Sequence, residues 1–275
     1  MKQEMKLSIW TAYYVELSPE DAIREIAKCG YRYAELSDEH GAMLLERGDP
    51  TEVGRAFGAF AREMGVEVSQ GHLFLKVALT APDSVAVLCR WLDLFSAIGI
   101  QSAVLHCDCR FDGSVSEEEI FERNAAALRA LTAYIQGRPI KICLENLCKR
   151  WRSAEELLRL VDMVGEENLG ICLDTGHLNL TKASSQGDFI RAAGRHLQAL
   201  HIADNMGEAD NHLMPYTAVG QINMVEILEA LREVGYDKLY NLEIPGERHA
   251  PLEIRAAKLA FVKTCLDYTQ STLSE

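Results

Sequence analysis

Runs of four or five mostly apolar residues recur along the chain, each followed by a longer segment whose apolar positions return every three or four residues. The runs lie at 6–10, 33–36, 66–70, 102–105, 140–144, 170–173, 197–200 and 239–242. Near-continuous apolar character at that length predicts strands buried on both faces. The segments between them predict helices from Ser18 to a stop at Gly30, then over 51–64, 82–98, 116–135, 153–164, 187–195, 224–234 and 251–268. Ser18 is placed as an N-cap, with Pro19 at the first helical position and Glu20 and Asp21 in the first turn. Ala22, Ile23, Ile26 and Ala27 form the buried stripe of that helix. Ser153 and Glu156 are spaced as a capping box. Residues 11–14, 37–40 and 203–223 are predicted to be loops.

Strand–helix pairs in succession require a parallel sheet with helical crossovers. Eight such pairs in 275 residues predict an α/β protein, a closed (β/α)8 TIM barrel forming a single domain over 1–275. An open doubly wound sheet is the alternative. The turn after the first strand, Trp10-Thr-Ala-Tyr-Tyr14, lacks the glycines of a dinucleotide-binding turn, so no nucleotide cofactor is expected.

Composition narrows the function classes. A net charge of −13 opposes binding to a polyanion, so a nucleic-acid partner is not expected. No apolar run approaches the ~18 residues that span a bilayer, so no membrane partner is expected. The start, Met1-Lys-Gln-Glu4, is polar and unlike a signal peptide. Most of the eight cysteines lie in apolar runs, where a thiol behaves as a small hydrophobe. Together these features predict a reduced, cytoplasmic protein; homo-oligomerisation is left open. Cys107-Asp-Cys109 has the look of a metal pair, but without a second cysteine pair it is a weak zinc signal.

The chemistry lies at the ends of the predicted strands. His72, His106, Glu145, Asp174 with His177, His201 and Glu243 are each the first strongly polar side chains after an apolar run. In a barrel those ends converge on one face, where active sites of this fold sit. Carboxylates crowded there without a cation would repel and take up protons. Glu145, Asp174, His201 and Glu243 form a mixed oxygen and nitrogen set suited to Mn²⁺, Co²⁺, Zn²⁺ or Mg²⁺. In the loop after strand seven, Asp204, Asn205, Asp210 and His212 are further candidates, with Asp210 and His212 spaced to face one way. Lys149, Arg150 and Arg152 form a cationic cluster that could hold a substrate phosphate or carboxylate, or be a solvated charge run. Trp10, Tyr13, Tyr14 and Trp151 could wall a sugar site or pack the rim.

The motifs Cys143-Leu-Glu-Asn146, Leu173-Asp-Thr-Gly-His177, Leu200-His-Ile-Ala-Asp204, Asp210-Asn-His212 and Asn241-Leu-Glu-Ile244 resemble the xylose isomerase-like barrel superfamily. The opening, Leu17-Ser-Pro-Glu-Asp-Ala22 through Glu35-Leu36, is similar too. The superfamily groups sugar isomerases, ketose 3-epimerases, inosose dehydratases and endonuclease IV proteins. The resemblance implies that Glu145, Asp174, His201 and Glu243 hold the metal and that His177 contacts a substrate oxygen. It also implies that Glu145 and Glu243 exchange a proton with a sugar, sugar phosphate or cyclitol through a cis-enediolate. A keto-polyol dehydratase would use the same enediolate. His72, His106, His177, Asp210 and His212 also match the three-zinc pattern of endonuclease IV, so a zinc phosphodiesterase is the alternative. The arginine that ketose 3-epimerases carry in the strand-seven loop has no counterpart between His201 and Asp210.

Overall fold

A computed structural model describes residues 5–273 apart from 110, 112 and 218. The polar start at residues 1–4 lies outside the described residues. The strands are β1 Leu7–Trp10, β2 Tyr33–Leu36, β3 Glu67–His72, β4 Ser102–Leu105, β5 Lys141–Glu145, β6 Leu169–Asp174, β7 Leu197–His201 and β8 Tyr240–Leu242. Each pairs in parallel with the next up to β7, and β1 pairs in parallel with β8. The remaining seam closes just beyond β7. There Ile202 N–H donates to the Asn241 carbonyl at 2.7 Å and Glu243 N–H to the Ile202 carbonyl at 3.0 Å. The sheet is therefore a closed (β/α)8 barrel, not the open alternative.

The helices are α1 Pro19–Lys28, α2 Asp38–Leu45, α3 Pro50–Glu63, α4 Ser84–Ile98, α5 Glu117–Tyr134 and α6 Ala154–Val164, then α7 Thr175–Thr181, α8 Gln186–Ala193, α9 Met224–Glu233 and α10 Leu252–Thr272. Ser18 caps α1, and the Ser153–Glu156 capping box opens α6. Two predicted loops are helical. Residues 11–14 form a 3₁₀ turn, and Ser37 caps α2, its hydroxyl accepting from His40 N–H. Ser37 followed by two acids is a helix start. No helix among the described residues is long and apolar enough to cross a membrane.

Side chains two apart along a strand share a face. Val104, Cys143, Cys172 and Ala199 form a small apolar layer separate from the main core, which lies between sheet and helices. Two residues further along the same four strands stand His106, Glu145, Asp174 and His201. The strands thus pass from an apolar plug to the polar groups in one step. The ladder runs through those groups, since Asp174 is in register with His201. The ends of β3, β5, β6 and β7 consequently lie one or two residues beyond the predicted limits.

Helices α3 and α4 pack through Gly54 and Gly58, which are one turn apart on one face. A Cβ at Gly58 would fall 2.5 Å from the Ile98 carbonyl oxygen, and one at Gly54 2.7 Å from that of Leu94. Backbone oxygens cannot swing aside as a side chain can. Gly58→Ala should therefore cost about 1–3 kcal/mol, read as a lower urea midpoint by circular dichroism; an unchanged midpoint would mean that α4 moves freely.

Candidate metal centre at the mouth of the barrel

Glu145, Asp174, His201 and Glu243 each bring a ligand atom within 4.8 Å of the others, and all four are buried. His72 and His106 form a second group with Glu145 at the same spacing. Glu145 is the hub. Its Oε2 lies 3.0 Å from His106 Nε2, 3.3 Å from His72 Nε2 and 3.4 Å from His201 Nδ1, and its Oε1 lies 3.2 Å from His177 Nδ1.

Asp174 serves both its turn and the site. Its Oδ1 accepts from His177 N–H at 2.6 Å and so caps α7. Its Oδ2 is buried with no hydrogen-bond partner. The same holds for His201 Nδ1 and Glu243 Oε2, which lie 2.7 Å apart without the alignment of a hydrogen bond. Buried polar atoms are normally satisfied. Three orphaned donor atoms on three strands, converging with Glu145, fit a divalent cation, and the donor set suits Mn²⁺, Co²⁺, Zn²⁺ or Mg²⁺.

The charges respond to this crowding. Burial, then the charges of Glu243 and Glu145, push the Asp174 carboxyl up to about 6 although His177 pulls the other way. Burial opposes the charge of Glu145 too, but the surrounding imidazoles hold its carboxyl well below the usual range. His72 and His106 both face Glu145 yet diverge. Burial disfavours both charged rings; the bond to Glu145 lifts His72 to about 9, whereas burial prevails at His106 and lowers it.

Over the mouth, Asp210 Oδ2 joins two rings, His177 Nε2 at 3.1 Å and His212 Nε2 at 3.2 Å. Burial works against the Asp210 charge, but these two hydrogen bonds hold its carboxyl well below the carboxylate range. His212 sits at φ 47°, uncommon for a residue with a side chain, and its Nδ1 bonds the Glu243 carbonyl at 2.9 Å. Trp10 stacks on His212 with centroids 6.1 Å apart, so this aromatic flanks the site.

Other candidates are structural. Tyr13 and Tyr14 are fully buried against the Arg255 guanidinium. Trp151 is buried against Phe121 and donates to the Asp108 carbonyl at 3.2 Å. Asp204 Oδ1 accepts from the backbone N–H groups of Asn205, Gln221 and Ile222, and Asn205 donates to the Gly176 carbonyl. Both tie down the long loop, and neither joins a ligand cluster among the described residues. Cys107 and Cys109 join no ligand cluster among the described residues. Lys149 is exposed and Arg150 half-buried in the loop after β5, and neither makes an ion pair among the described residues.

Several site residues carried no strand-end signal. Asn146 braces the site, donating to the Asp174 carbonyl at 3.0 Å and accepting from Asp174 N–H at 2.7 Å. Glu35 lies behind His201, its Oε1 3.0 Å from His201 Nε2. The hints to Glu35 were a carboxylate inside an apolar strand and its place in the opening segment that resembles the superfamily.

The family described as xylose isomerase-like TIM barrel matches residues 23–265. The chain belongs to this family. An uncharacterised protein from Sinorhizobium fredii is 31% identical over 172 residues, 60% of this chain and 54% of that one. A D-psicose 3-epimerase of Ruminiclostridium cellulolyticum is 31% identical over 128 residues, 45% of this chain and 41% of that one. By these matches the chain spans about half the length of the curated relatives. The solved D-psicose 3-epimerase with D-tagatose from Clostridium cellulolyticum H10 superposes with a TM-score of 0.80 at 21% identity, covering 97% of this chain and 99% of that one. The 3-keto-D-glucoside 4-epimerase from E. coli gives 0.78 at 17%, covering 95% and 100%. At such identities the likeness speaks to the fold alone.

Ligands must shed protons to hold an ion. Because Asp174 is raised to about 6, protons compete with the ion as pH falls through that value. Mn²⁺ affinity measured by calorimetry should therefore weaken increasingly below about pH 6, with more protons released per ion bound than at pH 8. Affinity and proton release that stay constant from pH 5 to 8 would show that Asp174 is not a ligand.

Proposed function

We propose that this barrel is a divalent-metal-dependent epimerase or isomerase of a small ketose, sugar phosphate or cyclitol. The observation that carries the reading is the convergence of Glu145, Asp174, His201 and Glu243 with three of their donor atoms orphaned. The substrate class draws on the sequence match to D-psicose 3-epimerase.

Those four residues would hold the ion. Bound there, a divalent ion supplies the Lewis acidity that makes the C–H beside a carbonyl removable at neutral pH. The chain's own groups do the rest. Glu145 and Glu243 would move the proton, one taking it from the carbon and the other returning it to the resulting enediolate. Glu145 is suited to stay ionised among its imidazoles. For His177 or His212 to donate to a sugar oxygen, Asp210 would have to release that ring's Nε2, because each Nδ1 already bonds a backbone carbonyl. Trp10 offers an aromatic flank of the kind that covers sugar C–H groups. Lys149 and Arg150 in the β5–α6 loop, neither with an ion-pair partner among the described residues, would be the groups to hold a phosphate.

A second reading, a zinc phosphodiesterase, is favoured by the second cluster, His72, His106 and Glu145. The charge of −13 opposes it.

The Mn²⁺-loaded protein should incorporate solvent deuterium at a carbon next to the carbonyl of at least one member of a ketose, ketose phosphate and inosose panel. Chelation should stop the exchange, and Glu243→Gln should lower it by roughly 10²–10⁴-fold. Three zinc ions per chain with cleavage of an abasic-site duplex and no exchange would replace this reading with the phosphodiesterase.

A further inference from the structure

We infer that Glu35 is a positioning residue that fixes the tautomer of His201 and so leaves His201 Nδ1 free to bind the ion. This rests on the reading of Glu145, Asp174, His201 and Glu243 as a divalent-metal site. Glu35 and His201 are 1% and 0% exposed, so neither has water to satisfy it.

The hydrogen bonds around Glu35 permit one arrangement. A carboxylate only accepts. Glu35 Oε2 takes two amide N–H groups, from Gln70 Nε2 at 2.9 Å and from Asn241 Nδ2. Asn241 must turn its NH₂ to the acceptor-only carboxylate, and its Oδ1 then accepts the Ser8 hydroxyl at 2.9 Å. Gln70 Nε2 is held by a second acceptor, the Leu200 carbonyl, at 3.2 Å. Glu35 Oε1 is left for His201 Nε2 at 3.0 Å, so that nitrogen must be the donor. The lone pair of the neutral ring then lies on Nδ1. That atom has no hydrogen-bond partner and stands 2.7 Å from Glu243 Oε2 and 3.4 Å from Glu145 Oε2. Four strands besides β7 build this device, with Ser8 on β1, Glu35 on β2, Gln70 on β3 and Asn241 on β8.

The device makes Glu35→Gln informative although the shape hardly changes. The two amide donors would hold the new carboxamide oxygen where Oε2 was. Its NH₂ would then face His201 Nε2, which would have to accept. The ring hydrogen would move to Nδ1 and occupy the metal-binding position. Glu35→Asp keeps an acceptor there but withdraws it by one methylene.

The test is calorimetric titration of Mn²⁺ alone into the metal-stripped wild type, Glu35→Gln and Glu35→Asp chains, with the thermal midpoint of each metal-free chain recorded. Affinity should fall roughly 10–100-fold in Glu35→Gln, the range for a group behind a ligating histidine. Glu35→Asp should lie between, and the metal-free midpoints should stay close together. Should Glu35→Gln fail to fold, a folded Glu35→Asp with weakened affinity carries the inference, and one with wild-type affinity overturns it. Unchanged affinity in Glu35→Gln overturns the tautomer assignment while leaving the metal site standing. A wild type that takes up no Mn²⁺ overturns both.

Discussion

Three carboxylates and an imidazole each bring a ligand atom within 4.8 Å of the others at one end of a closed cylinder. Each group would lose hydration there, and the like charges repel. Such a cluster persists only if the backbone leaves it no retreat. The closed ladder does this, since Asp174 and His201 are in register and Glu243 donates its own N–H across the seam. The apolar plug of Val104, Cys143, Cys172 and Ala199 lies directly beneath. It bars water from below and fixes the strands' spacing. The cost falls on the proton affinities, with Glu145 driven down by its imidazoles and Asp174 up by burial although both are fully buried carboxylates.

The strand ends were legible because each apolar run breaks off at a group that cannot be left alone in a core. The barrel was legible because that break recurs with a helix after it. What stands behind the ligands was not. Glu35 bonds partners 166 and 206 residues away, and nothing local to Tyr33–Leu36 says which strands flank it. Period two places Glu35 on one face of its strand but does not say whether that face meets helices or the barrel interior. Loop chemistry misled for the opposite reason. Asp204 and Asn205 follow His201 as ligands might, yet backbone N–H groups arriving from Gln221 and Ile222, far along the same loop, claim Asp204. Tyr13 and Tyr14 follow the first strand like rim aromatics, but Arg255 from α10 covers them, and that contact joins opposite ends of the chain.

The turn after β6 joins two readings that looked like alternatives. One oxygen of Asp174 caps α7 and the other has no partner. The cap is what makes the second oxygen useful, because a carboxylate held at one end by a backbone N–H cannot rotate its free oxygen away. His177 gains from the same turn. With its N–H held by Asp174 and its Nδ1 bonded to the Asn146 carbonyl at 2.9 Å, the ring is fixed from both sides.

The long loop after β7 extends the same logic upward. Asp204 gathers the two ends of the loop, and its backbone pairs with Leu213 in both directions, at 2.8 and 2.7 Å. That pairing folds the intervening segment back, so that Asp210 returns over His177 and His212 returns over the Glu243 carbonyl. Asp210 thus ties together two imidazoles from separate βα loops above the carboxylate cluster. With every nitrogen of those two rings engaged, by Asp210 and by the Asn146 and Glu243 carbonyls, the bridge would have to open before either ring could donate to a ligand.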